Sequence, residues 1–214
     1  MGPQRGEGPT VSEELRVLQA IRLKGRPTEP ETAAAIGVPE GALRQPLRAL
    51  VDAGLCAETR GRYQLTSAGR DLLARQVAEE RDSVNQTALA AFYDRFVEHN
   101  AVVKQVITQW QLIDAGTPND HNDPDYDAQV IGRLADVHAA SAATLAGVIG
   151  LAPRLAPYPH RLAGALAKVQ AGEHTWLASP LADSYHTVWF ELHEDLLGLA
   201  GLARADEAAA GRAE

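Results

Sequence analysis

The chain has 214 residues, 45% hydrophobic, 22% charged and 5% aromatic, a composition that excludes a disordered polypeptide. No stretch approaches the roughly 18 unbroken apolar residues of a membrane span. The opening residues lack the apolar core of a secretory signal, and the single cysteine, Cys56, excludes an internal disulfide framework or a multi-thiolate zinc site within one chain, so a cytoplasmic protein is expected. The net charge of −8 is uneven: residues 1–82 carry 12 Lys/Arg against 12 Asp/Glu, and residues 83–214 carry 8 against 16, so any nucleic-acid contact belongs to the front part.

Residues 1–10 are rich in Gly and Pro and read as a disordered tail. Ser12 is placed to cap a helix reaching about Lys24, with Leu15, Leu18, Ile21 and Leu23 at helical spacing. Thr28-Glu29-Pro30-Glu31 has the form of a second helix start, with a threonine cap, proline just inside and acids in the first turn. That helix stops at Gly37. A third is expected from Pro39-Glu40 to Ala53-Gly54, with Leu43, Leu47, Leu50 and Val51 inward. Then Leu55–Thr59 and Tyr63–Leu65 flank Arg60-Gly61-Arg62, the spacing of a two-stranded hairpin, and Thr66 caps a further helix. The expected fold is mainly α: a winged helix-turn-helix over residues 11–82 with a two-stranded wing, followed by an all-helical domain over 83–205 and a tail at 206–214.

The segment AAAIGVPEGALRQPLRALVDAGLCAETRGRYQLTSAGRDLL resembles the winged-helix core of MarR-like bacterial regulators. The small-residue helix ending at Gly37-Val38, the LRALVDAGL close of the third helix and the YQLTSAGRDLL exit from the wing carry the match, which spans roughly residues 11–80. It implies that the third helix enters the major groove while the wing reaches the backbone or minor groove of double-stranded DNA. Arg44, Gln45 and Arg48 are then the base-reading candidates beside Glu40, and Arg60 and Arg62 at the wing and Arg26 near the second helix complete the set. Against this stand the module's neutral charge and Pro46, which inside a helix removes a hydrogen bond and kinks it at a cost of ~3 kcal/mol. The same fold also serves as a protein-docking module. A weaker resemblance, carried by AIRLKGRPTEPETAAAIG and DSYHTVWFELHEDLL, is to helical accessory segments of actinobacterial pyruvate-phosphate-dikinase-like proteins. It implies an accessory or sensor module, since the phosphotransfer histidine and nucleotide-grasp parts are absent.

The back part reads as helical. Residues 67–98 form one or two helices, His99-Asn100 is a break, and a helix from Ala101 to Ile113 follows. Asp114–Tyr126 is a polar loop, Asp127–Ile149 a helix, Ala152–Pro159 a turn and 160–171 a short helix. Ser179-Pro180 is taken as the cap of a last helix reaching Ala203. In it Tyr185, Val188, Trp189, Leu192, Leu196 and Leu199 form one apolar stripe and His186, Phe190, His193 and Leu197 a second, leaving Thr187, Glu191 and Glu194 as the polar side. So broad an apolar circumference points to a central helix, a pocket wall or the interface of a homodimer.

His186, Trp189, Phe190 and His193, with Trp110 or Tyr93 on a far wall, are the candidate lining of a pocket for a small-molecule effector. The competing reading is that these aromatics fill the core. Asp123-x-Asp125-x-Asp127 lacks the glycine and the closing glutamate of a calcium loop. His121 with His138, His186 or His193 is a weaker metal possibility, and a solvated acidic loop is the alternative. No phosphate loop, nucleophile elbow or His-Glu-x-x-His motif occurs, so no enzyme and no cofactor are expected. Cys56 suits strand packing better than redox sensing.

Overall fold

The computed structural model describes residues 13–114 and 116–203, so the expected Ser12 cap and both terminal tails lie outside the described residues. The chain divides at about residue 80 into two compact units, each with its own core.

The first unit contains α1 (Glu13–Lys24), α2 (Glu29–Ile36), α3 (Arg44–Asp52), β1 (Cys56–Thr59), β2 (Arg62–Leu65) and most of α4 (Ser67–Ser83). Thr28 and Glu31 form a reciprocal capping box at the start of α2, and Gly37, in the left-handed conformation at φ 72°, ends it. Leu15, Leu18, Ile21, Ile36, Leu43, Leu47, Leu50, Leu65 and Leu73 make the core, while Leu23 is only half-buried. The strands pair antiparallel, Cys56 opposite Leu65 and Thr59 opposite Arg62. Their connection is the two-residue Arg60-Gly61 turn, with φ of 53° and 74°. Two successive positive φ values define the type I′ turn, whose twist suits a hairpin. A bridge from Thr28 to Arg62 and a 2.8 Å bond from the Tyr63 N–H to the Pro27 carbonyl add a third extended segment to the wing. Gly69 is required by a close approach: a Cβ there would lie 2.0 Å from the Leu55 carbonyl oxygen.

The third helix differs from expectation. It begins at Arg44, because residues 39–43 form an irregular turn around Gly41 at φ 84°. Pro46 is therefore the third residue of α3, where the backbone N–H has no partner within the helix. The expected kink and its cost vanish.

The second unit holds α5 (Gln86–Gln111), α6 (Pro124–Leu151), a 3-10 turn (Pro153–Leu155), α7 (Pro157–Gln170), α8 (Thr175–Ala178) and α9 (Tyr185–Ala200). The break expected at His99-Asn100 lies instead at Ser83–Asn85, where the Asn85 side chain caps α5. Asn100 sits buried within that helix, its Oδ1 accepting from Trp189 Nε1 at 3.0 Å. The last helix starts at Ser184, whose hydroxyl accepts from Thr187 N, and not at Ser179-Pro180. α6 pairs with α5 and α7 and contributes Val130, Leu134, Val137, Leu145 and Val148 to the core. It is also the one described helix long and apolar enough, at a mean hydropathy of 1.5, to cross a membrane.

α9 packs against α5, α7 and α8. Its first stripe is fully buried, and of its expected polar side Glu191 is buried as well. Most of the apolar circumference that suggested a homodimer is covered within one chain, while Phe190 of the second stripe stays exposed.

Candidate functional site

On α3, Arg44, Gln45 and Arg48 are all exposed, as is Glu40 in the preceding turn. Arg48 lies 4.0 Å from Asp52 in a solvent-exposed i,i+4 pair. The Arg44 guanidinium lies over Gly41, 3.6 Å from where a Cβ would sit. The turn ahead of α3 is held from a distance: the Glu29 carboxylate accepts from the Gly41 and Leu43 N–H groups at 2.9 and 3.3 Å. A carboxylate here suits the positive end of the helix. The sequence carried no signal for this contact, since the residues are 12 and 14 positions apart.

Arg60 is exposed at the hairpin tip, and Glu58 accepts from the Gly61 N–H to close the turn. Arg62 is engaged differently. Its guanidinium donates to the Arg26 carbonyl at 2.8 Å and lies 3.4 Å from Glu31. Arg62 thus fastens the wing to the α1–α2 connection, and the Arg26 side chain is exposed. Cys56 is buried on β1, and burial pushes its thiol up to about 11, which leaves it protonated and unreactive at neutral pH.

In the second unit a cavity of about 20 Å³ lies between α5 and α9. Asn100, Val103, Lys104 and Ile107 line one side, and His186, Trp189, Phe190 and His193 the other. All four residues expected on α9 therefore meet at one cavity. Tyr93 and Trp110 do not line it. Tyr93 instead lies behind His193, with its hydroxyl 3.2 Å from His193 Nε2. Phe96 stacks on Trp189 at 5.0 Å between ring centres, which makes most of this aromatic group core. The volume suits a water molecule and not a metabolite, for which sites of several hundred Å³ are usual. Phe190, 39% exposed, stands at its mouth.

Three arginine and tyrosine side chains of the 3-10 turn and α7 enter a buried ionic cluster on the far side of α9. Arg154 bonds Asp195 at 2.7 Å and the Tyr158 hydroxyl donates to the same carboxylate. Arg161 bonds Asp183 at 2.7 Å and Glu191 at 2.6 Å. Burial alone would lower the Arg161 pKa, but the Asp183 and Glu191 contacts outweigh it and raise it. Burial, reinforced by the Asp195 charge, raises the Tyr158 pKa well above its usual value. Periodicity marked Glu191 as solvated because it cannot reveal an arginine arriving from another helix.

The described residues of the loop after α5 are tied back to the helices on either side. Asn119 N–H bonds the Gln111 carbonyl and the Tyr126 hydroxyl bonds the Gln109 carbonyl. Asp127, buried in the first turn of α6, accepts from Asn119 Nδ2 at 2.9 Å and from His121 Nδ1 at 3.0 Å. The His121 ring packs on Trp110 with centres 4.3 Å apart, and His174 meets the same tryptophan edge-on at 5.1 Å. The partners suggested for His121 lie elsewhere: His138 meets Tyr185, and His186 and His193 line the cavity. Among the described residues no group of three or more His, Cys, Asp or Glu is gathered to hold a metal ion.

No protein family, curated protein or solved structure matches the chain. The architecture itself, three helices and a two-stranded hairpin followed by an all-helical unit, is of winged-helix type.

Proposed function

We propose that the chain is a MarR-like transcriptional regulator whose first unit binds double-stranded DNA. The observation that carries this reading is the exposure of Arg44, Gln45 and Arg48 on one short, unkinked helix. In the major groove, arginine pairs with guanine through two hydrogen bonds and glutamine does the same with adenine. Arg60 at the wing tip serves as a backbone contact, and so does the exposed Arg26 side chain, whose carbonyl Arg62 holds. Arg62 acts by holding the wing. Glu40, Asp52 and Glu58 offset part of the positive potential, so the expected binding is modest and strongly salt-dependent.

A small-molecule effector at His186, Trp189, Phe190 and His193 requires the α5–α9 cavity to open beyond its present water-sized volume. The second reading, a winged helix that docks protein and not DNA, is favoured by the Arg48–Asp52 pair on the reading face. Fluorescence anisotropy with duplexes selected from a random pool separates the two. Arg44→Ala and Arg48→Ala are each expected to weaken binding by ~1–3 kcal/mol, and Arg60→Ala to weaken all sequences alike and lower the salt slope by about one. Binding unchanged in the triple variant favours the docking module.

A further inference from the structure

We propose that His121 and His174 form a binding site for one divalent late first-row transition-metal ion, with Asp127 as the positioning residue. The first argument is tautomeric. His121 Nδ1 lies 3.0 Å from the buried Asp127 carboxylate, so Nε2 is the ring nitrogen on the side away from that carboxylate, and the tautomer that donates Nδ1–H to Asp127 offers Nε2 to a metal. A ligating histidine characteristically donates its other ring N–H to a carboxylate in this manner, which fixes the ring and raises its basicity. Asn119 donates to Asp127 as well, which fixes the carboxylate in turn.

The second argument is distance. The His121 and His174 ring centres are 6.3 Å apart. A metal–nitrogen bond of ~2.1 Å puts each ring centre ~3.2 Å from a shared ion, so two rings at a tetrahedral angle have centres ~5 Å apart. Rotation of the exposed His174 covers the difference. Trp110 contacts both imidazoles, with ring centres 4.3 and 5.1 Å away, so an ion held between them lies close to the indole. Two imidazole nitrogens with water in the remaining positions suit Cu²⁺, Ni²⁺ or Zn²⁺, with Cu²⁺ held most tightly. The site is independent of DNA binding.

The test is titration of the chelator-treated full chain with CuCl₂ at pH 7.5, followed by calorimetry and tryptophan fluorescence. One ion per chain is expected at micromolar concentration, with quenching from the nearby Trp110. His174→Ala, a change at an exposed position, and His121→Ala are each expected to weaken binding at least about tenfold, and Asp127→Asn by about 10–100-fold. Trp110→Phe is expected to keep an ion while losing most of the quenching. No binding to the parent at tens of micromolar, or parent-like binding by a folded His121→Ala/His174→Ala double variant, overturns the proposal.

Discussion

Two sets of arginines, one in each unit, are used in opposite ways. In the first, Arg44, Arg48 and Arg60 stand in water on the third helix and the wing tip, where a cation costs little to keep and little to lose. In the second, Arg154 and Arg161 are withdrawn into a cluster with Asp183, Glu191, Asp195 and Tyr158. Taking charges out of water is expensive, so a buried pair stabilises little overall, yet removing one partner leaves the other stranded. Arg44, Arg48 and Arg60 are thus available for a ligand, whereas Arg154 and Arg161, like Arg62 in the wing, are committed to architecture.

The largest expected effect tests the buried side of this contrast. Arg161→Ala strands Glu191 and is expected to destabilise the second unit by about 3–5 kcal/mol in urea unfolding. A loss under 1 kcal/mol would show that water reaches Glu191. The aromatic cluster comes next and splits in two. His193→Ala removes a buried ring packed on Phe96 and bonded to Tyr93, and a loss of about 2–3 kcal/mol is expected. Phe190→Ala, at the half-open cavity mouth, should cost less than about 1.5 kcal/mol, since much of the ring is already in water. Equal losses from both would place Phe190 in the core.

pH sharpens the comparison within the first unit. Burial raises the Cys56 thiol from 9.0 to about 11. The folded state therefore holds this proton more tightly, so its contribution is whole below pH 9 and lost as pH rises toward 11. Thiol labelling of the native chain at pH 8 is expected to be slow and to accelerate only on unfolding, whereas rapid labelling would mean the strand opens. The smallest effect is expected at Pro46→Ala. With proline in the first turn of α3, where no helical hydrogen bond is broken, thermal stability should shift by no more than about 0.5 kcal/mol. A clear gain in stability on removing it would restore the kinked helix.

Sequence legibility followed the range of the signals. The Thr28–Glu31 capping box and the Arg60-Gly61 hairpin are local, and their residues announce them. The start of α3 was misplaced because Glu29 sets it across 12 positions and Gly41 breaks the helix before it begins. Asn100 reads as a helix end in a linear sequence but is a buried partner of Trp189, 89 residues away. The start of α9 was misplaced because Ser179 and Ser184 are both cap-forming residues, and only the latter begins the helix. The α9 cavity residues were legible because helical spacing alone aligns them. Its size and opposite wall were not, because they depend on how closely α5 approaches.

Arg60 has a consequence for engineering the wing. Its left-handed conformation, followed by Gly61, is one that asparagine adopts more readily than arginine. Arg60→Asn is expected to make the hairpin sturdier and, on the proposed reading, to leave it a poorer grip on phosphate. Selection for heat resistance alone would therefore drift toward a wing that holds its shape and loses its ligand.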